Sequence, residues 1–197
     1  MPAEAASIYG APLRTAVKSP PVTAETNAGY DRDRQFGTWN DADRDCRNTR
    51  AEVLQNETRA SLAFTAAKRC TVRSGRRVTS WDGRTRTSAT TVQIDHTVPV
   101  HEAWGSGVRY RTKAKRVAFH NDLGDSCTLS AQTSALNSAK QTRGPEQWMP
   151  PRHRCGDVGE WVAVKICWGL KADSAERAAL TRIAASCPHV GLAVRKV

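Results

Sequence analysis

Asp95 and His96 are the neighbouring residues whose side chains are best suited to chemistry in this chain. They lie at the end of an apolar, β-branched run that stops at Pro99. A carboxylate can bind a divalent cation, and an imidazole with an ordinary pKa of about 6.5 can take up and release protons near pH 7. The pair therefore predicts a catalytic site at the end of one strand.

The strand that must position this pair is predicted over residues 90–98. Its Thr, Val and Ile content is typical of a strand, and the proline ends it. Because side chains alternate along a strand, Asp95 and His96 should point to opposite faces. Both can reach one phosphate and one metal ion only if the strand bends, bulges or ends at this point.

A second element carries polar residues that can join the pair. The chain from residue 130 to residue 141 is predicted to be a helix, which a Gly-Pro pair stops. Asn137 and Lys140 are three residues apart, so they share one face of this helix. That face would present an amide and an ammonium group together.

The rest of the chain predicts an α+β fold with one main domain. Residues 1–29 are rich in Ala, Pro and Thr and show no sustained period, so we expect an N-terminal arm or linker before a domain over residues 30–197. A basic segment over residues 62–86 predicts short strands in hairpins, with turns at Ser74-Gly75 and Asp82-Gly83. Helices are predicted over residues 40–57, 101–104, 160–168 and 174–186.

The chain of 197 residues carries a formal net charge of +11, and its isoelectric point is near 9.9. Such a charge favours a polyanionic partner, nucleic acid above all, although a basic secreted protein can also be simply soluble. The basic segment over residues 62–86 fits a backbone clamp or a solvated charged face equally well. The densest basic run predicts phosphate steering. It contains no acidic residue and consists of Arg109, Arg111, Lys113, Lys115 and Arg116.

Six isolated cysteines indicate an oxidising compartment, because none has the C-x-x-C or His spacing of a structural zinc site. We therefore expect an exported, extracellular protein instead of a reduced cytosolic one. The first residues lack the basic start and apolar core of a signal peptide, so we expect the export signal to be missing from this sequence or already removed. Among the possible connectivities, we expect the disulfides Cys46–Cys70, Cys127–Cys167 and Cys155–Cys187.

Three short stretches together carry a family resemblance, namely Asp95 to Pro99, His120 to Leu123 and Asn137 to Lys140. In order and spacing they resemble the signature of the HNH (His-Me finger, ββα-metal) endonucleases. The flanks resemble a narrower branch, the small secreted bacterial HNH nucleases, over residues 49–54, 102–104, 145–151 and 161–187. The resemblance covers residues 30–187. It implies an α+β fold with a ββα-metal nuclease core that helices surround and disulfides stabilise.

The resemblance implies a general base and two metal ligands. In this family the histidine of the Asp-His pair is the base, so His96 would take a proton from the water that attacks phosphorus. Asp95 matches the metal-binding carboxylate, and Asn137 matches the second ligand. Both offer hard oxygen atoms, so the implied cofactor is a divalent ion, Mg²⁺ first and Mn²⁺ as an alternative. Water and the scissile phosphate would fill most of its positions.

The resemblance also implies roles for residues around the base. Asn121 matches a middle asparagine that braces the loop between the two strands and so orients the histidine. Lys140 matches a basic residue one helical turn beyond the ligand asparagine, where it would contact phosphate. Glu102 stands where the secreted branch carries an acidic residue near the site, so we include it among the catalytic candidates.

The sequence thus predicts a secreted, metal-dependent endonuclease that hydrolyses phosphodiester bonds. Attack by water needs no 2′-hydroxyl group, so both DNA and RNA are chemically suitable substrates. We expect a monomer and no membrane partner. Two alternatives stay open, namely a non-catalytic secreted protein that binds nucleic acid or another polyanion, and a nuclease toxin that shares the chemistry and differs in its delivery.

Overall fold

The computed structural model describes residues 7–124 and 127–197, and it has the mixed α+β architecture that the sequence predicts. Short 3-10 turns cover Ala89–Thr91 and Val108–Tyr110. The helices are α1 (Leu13–Ala16), α2 (Arg32–Phe36), α3 (Thr49–Asn56), α4 (Val100–Gly105), α5 (Lys113–His120), α6 (Ser134–Lys140), α7 (Arg154–Cys167) and α8 (Ser174–Ala185). The strands are β1 (Ile8–Pro12), β2 (Ala63–Phe64), β3 (Val72–Val78), β4 (Thr85–Ser88), β5 (Val92–His96), β6 (Leu129–Thr133) and β7 (Gly191–Arg195).

Strands β5 and β6 pair antiparallel, and α6 follows β6 without an intervening loop. The register runs unbroken along β5 to His96, which lies opposite Leu129. The helix predicted over residues 130–141 is therefore wrong in its first turn. Those residues pair with β5 instead and bury Leu129 and Ala131 in the same apolar cluster as the side chains of β5.

Two apolar clusters form the core. The larger one joins α1, α4, α5, α7 and α8, and the smaller one joins α3, β3, β5 and β6. Ile94 belongs to the smaller cluster and Val98 to the larger one, so Asp95 and His96 lie at the boundary between them. Full burial of an aliphatic side chain contributes about 1.5–3 kcal/mol, and these two anchors therefore fix the position of the polar pair.

The described part of the segment predicted as an N-terminal arm or linker, residues 7–29, packs against the rest of the chain. Strand β1 pairs antiparallel with β7, and α1 packs into the larger cluster. Leu13 is 1 % exposed and Val17 is fully buried. The predicted division between an arm and a domain at residues 29 and 30 stays a prediction, and β1 and α1 contact the later part of the chain. The segment is too short and irregular for its buried residues to show a period.

The helix predicted over residues 40–57 forms only as α3, which begins at Thr49. The preceding residues form a loop in which the Asp41 carboxylate accepts a hydrogen bond from the backbone N–H of Cys46 at 2.9 Å. Cys46 also has a positive φ of 75°, which interrupts any helix. Side chains of Asp and Asn compete in this way with helical backbone bonds. Asn48 caps α3 by accepting from the N–H of Ala51 at 3.1 Å.

Strands β3 and β4 form an antiparallel hairpin, and the turn predicted at Asp82-Gly83 is confirmed. Gly83 has a φ of +67°, a conformation that glycine adopts without strain. The turn predicted at Ser74-Gly75 is wrong because both residues lie inside β3, where the register shifts between Ser74 and Arg77. Such an irregularity bends a strand without ending it.

Helices α7 and α8 pack against each other in the larger cluster. Their existence confirms the helices predicted near residues 160–168 and 174–186, although α7 begins earlier, at Arg154. Asp173 caps α8 by accepting from the N–H of Glu176 at 2.7 Å, as the sequence predicts. Throughout the described residues, no helix has the length and apolar composition needed to cross a membrane.

Two of the predicted disulfides, Cys46–Cys70 and Cys155–Cys187, are confirmed. The first ties the loop before α3 to the chain before β3, and the second ties the start of α7 to the end of α8. On the chain-entropy model, closing the first loop contributes about 3.5 kcal/mol. The pairing of Cys127 with Cys167 stays a prediction. Cys127 is half-buried and Cys167 is buried.

Candidate functional site

A cavity of about 290 Å³ lies at the end of β5. Asp95 and His96 of β5 line it together with Asn137 of α6, His101 of α4 and Arg32 of α2. The β5–β6 ladder has no bulge at the pair, and β5 ends at His96. Of the three geometries expected from the sequence, the end of the strand is therefore the one that lets both side chains line a single cavity.

His96 is held as a neutral imidazole with a defined tautomer. Its Nε2 lies 2.9 Å from the carbonyl oxygen of His120. A carbonyl only accepts, so Nε2 carries the proton and Nδ1 keeps the basic lone pair. Burial lowers the pKa of His96 well below its usual range, and the neighbouring His120 and Arg32 lower it further. The imidazole is therefore uncharged across the neutral pH range, with the lone pair of Nδ1 unprotonated.

Trp39 stacks on the two histidines and limits their rotation. Its ring centroid lies 5.2 Å from that of His96 and 4.4 Å from that of His120, with the planes within about 13° of parallel. Asn121 holds the residues on both sides of Trp39. Its Oδ1 accepts from the N–H of Asn40 at 2.9 Å, and its Nδ2 donates to the Thr38 carbonyl at 3.3 Å. Asn121 is thus connected to His96 through Trp39, and its predicted role as a brace of the loop between the two strands stays a prediction.

Lys140 does not contact solvent as the predicted phosphate ligand would, because its side chain is almost fully buried. Its Nζ donates to Asp95 Oδ2 at 2.6 Å and to the carbonyl oxygens of His96 and Thr97 at 2.8 and 2.9 Å. All three donors of the ammonium group are thus used inside the fold. The predicted role of Lys140 in nucleic-acid binding is corrected to that of a buried counter-ion, which the inward face of α6 positions against β5.

Asp95 is buried beside this counter-ion. Burial raises the pKa of Asp95 to about 6, and the charge of Lys140 opposes that rise. The Nδ2 of Asn137 donates to Gln93 Oε1 at 2.6 Å. Within residues 7–124 and 127–197, neither Asp95 Oδ1 nor Asn137 Oδ1 makes a hydrogen bond.

These two oxygen atoms are chemically suited to a divalent ion. Carboxylate and amide oxygens are the hard donors that Mg²⁺ and Mn²⁺ prefer, and Asp95 and Asn137 line the same cavity. The positive charge of Lys140 offsets the negative charge of the Asp95 carboxylate. The protein alone would therefore attract the ion weakly. Such a site would depend on water and a substrate phosphate for its other ligands.

Glu102 does not join this cavity, so its predicted place among the catalytic residues is wrong. Its Oε1 accepts from Lys165 Nζ at 2.6 Å, in a second buried cluster between α4, α7 and α8. Successive residues of a helix point about 100° apart, so α4 turns His101 toward the cavity and Glu102 toward α7. The sequence shows that the two residues are neighbours but not which of them faces the site.

The second cluster contains more acid than base. Lys165 also donates to Glu176 Oε2 at 2.9 Å, and Glu25 Oε1 lies 3.8 Å from its Nζ. Burial, helped by the nearby charge of Glu102, raises the pKa of Glu25 to about 8. Burial likewise raises the pKa of Glu176 to about 7, although Lys165 opposes that rise. This cluster joins the N-terminal segment to the helices and lies outside the cavity at β5.

No protein-family model matches the chain, and no solved structure matches it. A curated protein of Arthroderma benhamiae, named an uncharacterized secreted protein, is 38 % identical over 161 residues. The match covers 81 % of this chain and 76 % of that protein. The two proteins belong to one family. The protein is secreted, which confirms the location that its cysteines predict.

The basic run over residues 109–116 lies on the surface around the start of α5, away from the residues that line the cavity. Several of its side chains donate to backbone carbonyl groups of the same chain. Arg109 donates to Thr26 at 2.9 Å, and Arg116 donates to Gln35 at 3.3 Å. Arg111 and Lys113 make similar bonds, to Trp168 and Arg34. The predicted phosphate contacts of this run stay a prediction, and four of its five basic side chains are tied to backbone carbonyl groups.

Sequence reasoning missed Arg32 and Trp39 as members of the site. Arg32 begins α2, and Trp39 follows α2 in an irregular stretch. Neither has a periodic or motif signal that connects it to β5. Only the packing of α2 against α4 and α5 brings them to His96.

Proposed function

We propose that this secreted protein is a metal-dependent endonuclease with a ββα-metal core formed by β5, β6 and α6. Its substrate would be DNA, with RNA as a second substrate. One observation carries the proposal, namely that a neutral, oriented His96 shares a cavity with the hard oxygen donors of Asp95 and Asn137. This is the arrangement that the resemblance to HNH endonucleases leads us to expect from residues at these positions.

His96 would act as the general base. Its Nδ1 would take the proton from a water molecule aligned with the scissile phosphorus, while Nε2 stays bonded to the His120 carbonyl. A lowered pKa keeps the imidazole neutral but makes it a weaker base. The negative charge of a bound phosphate would raise that pKa toward the range in which a general base is efficient.

Asp95 and Asn137 would hold the Mg²⁺ or Mn²⁺ ion, and Arg32 would bind a phosphate oxygen from the far side of the cavity. A bound divalent ion supplies Lewis-acid stabilisation of the charge that develops on the phosphate. Lys140 would keep Asp95 ionised in its buried position and fix the backbone at His96 and Thr97. Metal affinity would then rise when substrate binds.

The test is cleavage of plasmid DNA and of RNA by the His96→Ala variant, in parallel with Mg²⁺, Mn²⁺, Ca²⁺ and EDTA. We expect the rate to fall by about 10²–10⁴-fold, the usual contribution of a general base, while DNA binding is retained. The matched control is His189→Ala, since His189 is exposed and lies far along the chain in the segment after α8. Cleavage by His96→Ala at the parent rate would contradict the proposal. No cleavage by the parent under any metal would favour the non-catalytic binding protein.

A further inference from the structure

A groove with arginines along its edge lies between the β3–β4 hairpin and α6. Arg84, Arg86 and Arg152 line it, and Leu136 and Pro151 provide apolar walls. Its volume is about 440 Å³, compared with about 290 Å³ for the cavity at β5. A planar guanidinium group is the side chain best matched to phosphate, and apolar walls tolerate the faces of bases.

Among the described residues that line the groove, the one acidic side chain does not cancel the charge of the arginines. Asp82 Oδ2 accepts from Thr133 Oγ1 at 2.6 Å and from Arg86 Nη2 at 3.3 Å, and Asp82 Oδ1 accepts from the N–H of Arg84 at 3.0 Å. Three arginines against this aspartate leave a net charge of +2. In the part of the chain that the structure describes, the guanidinium groups of Arg84 and Arg152 form no hydrogen bond or ion pair. Their donors are therefore available to a ligand.

The groove and the cavity at β5 lie on two sides of the same helix. Leu136 of α6 lines the groove, while the next residue, Asn137, lines the cavity. A helix with its side chains is about 10–12 Å across, and one nucleic-acid strand advances about 3.4 Å per phosphate. A strand that crosses α6 with one phosphate in the cavity would thus place phosphates roughly three nucleotides away in the groove.

We infer that Arg84, Arg86 and Arg152 form a binding site for the phosphates of a nucleic-acid strand whose scissile bond lies in the cavity beside His96. This inference rests on the proposed function for the position of the scissile bond. The groove, and not the predicted basic run over residues 109–116, then sets the path of the strand. The difference is that Arg109, Arg111, Lys113 and Arg116 are each tied by at least one side-chain bond to a backbone carbonyl group, whereas within the described chain the guanidinium groups of Arg84 and Arg152 are not tied in this way.

The test compares the parent with Arg84→Gln/Arg152→Gln, which removes two charges and keeps polar side chains at both positions. Affinity for a fluorescent single-stranded DNA is measured in EDTA over a range of salt concentrations, so that no substrate is consumed whether or not the protein is a nuclease. Each phosphate contact contributes about 0.7 to the slope of log affinity against log salt for a single strand. We expect the slope to fall by about 1.4 and the affinity at about 0.1 M salt to fall roughly 10-fold or more.

Two variants with the same loss of charge serve as controls. Arg182→Gln/Arg195→Gln changes exposed positions outside both the groove and the cavity, and Arg111→Gln/Lys113→Gln changes the basic run. An equal loss of affinity in the first control would reduce the effect to net charge and overturn the inference. A larger loss of affinity in the second control than in Arg84→Gln/Arg152→Gln would show that the strand binds the basic run. That result would also overturn the inference. If Arg84→Gln/Arg152→Gln bound heparin more weakly but DNA as tightly as the parent, the groove would bind a polyanion other than nucleic acid. That result would overturn the inference.

The position of the strand is tested with oligonucleotides that carry one neutral methylphosphonate each. If the parent cleaves DNA, neutralising the phosphate roughly three nucleotides from the scissile bond should erase the difference between parent and Arg84→Gln/Arg152→Gln. A difference that persists at every position would overturn the inference. If the parent does not cleave, the proposed function fails, and the salt slope still reports whether the groove binds the strand.

Discussion

Lys140 and Lys165 are two buried lysines whose surroundings differ in their number of carboxylates. Lys140 is 2 % exposed and Lys165 is fully buried, and each uses its three donors inside the fold. Lys140 meets one carboxylate, that of Asp95, and two carbonyl oxygens. Lys165 meets the carboxylates of Glu102 and Glu176 and one carbonyl oxygen, with a third carboxylate nearby.

The two clusters differ in their number of carboxylates. The one at Lys140 positions residues of the candidate site, and the one at Lys165 holds the N-terminal segment and the helices together. A single Lys140–Asp95 pair is neutral when both groups are charged, so it can hold Asp95 and the backbone of His96 in one state. The cluster at Lys165 has excess negative charge. Burial alone would lower the pKa of Lys165, but the carboxylates around it raise that pKa. Burial, helped by the nearby charge of Glu102, raises the pKa values of Glu25 and Glu176, so this cluster takes up protons near neutral pH.

The largest effect is expected from Lys140→Met. This change leaves the Asp95 carboxylate buried without its partner, and breaking a buried pair in this way costs about 3–5 kcal/mol. The free energy of unfolding, measured by urea denaturation, should fall by that amount, and DNA cleavage should be lost. The double variant Asp95→Asn/Lys140→Met should recover much of the stability but not the cleavage. A loss below about 1 kcal/mol in Lys140→Met would show that the pair is not a structural unit.

A somewhat smaller and pH-dependent loss is expected from Lys165→Met. At pH 8 the remaining carboxylates repel one another, and we expect a loss of about 3 kcal/mol in the free energy of unfolding. The loss should shrink toward pH 5 because the carboxylates then bind protons. Lys171→Met is the control, since Lys171 is exposed and only its backbone carbonyl contacts Lys165. A loss that does not change between the two pH values would contradict the proposed proton uptake.

The third prediction concerns Glu25 and the pH dependence of stability. The pKa of Glu25 is raised in the folded protein to about 8 from an ordinary 4.5, so the folded state binds its proton more tightly than the unfolded state. The stability from this group is fully present below the unfolded pKa and is lost as pH rises through the folded value. Glu25→Gln should therefore flatten the decline of the unfolding free energy between about pH 5 and pH 8. An identical pH profile in parent and variant would remove Glu25 from the cluster.

Residues that are close along the chain were predictable from the sequence. Asp95 and His96 are adjacent on one strand, and Asn137 and Lys140 share one short helix, so local geometry alone places each pair. The cap at Asp173 and the turn at Asp82-Gly83 are likewise local. Each follows from backbone bonding rules that act over a few residues.

Residues that reach the site by tertiary packing were not predictable. Trp39 stacks on His96 where the packing of α2 and the bonds of Asn121 to the residues on both sides of Trp39 hold the chain. Lys140 looked like a surface phosphate ligand, since a short amphipathic helix does not reveal whether its lysine points inward. Residues 7–29 looked like a linker because their pairing partner, β7, lies at the opposite end of the chain.

The smallest effect is expected from Glu102→Gln, which tests the separation of the two lysine clusters directly. Glu102 contacts Lys165 and does not line the cavity, so cleavage should stay within about twofold of the parent rate. Removing one of the excess carboxylates relieves repulsion while Glu176 still pairs with Lys165, so the free energy of unfolding should change by less than about 1 kcal/mol. Cleavage assays and urea denaturation of the same preparation check both values. A large loss of cleavage with unchanged stability would show that Glu102 takes part in catalysis. The two lysine clusters would then act as one functional unit.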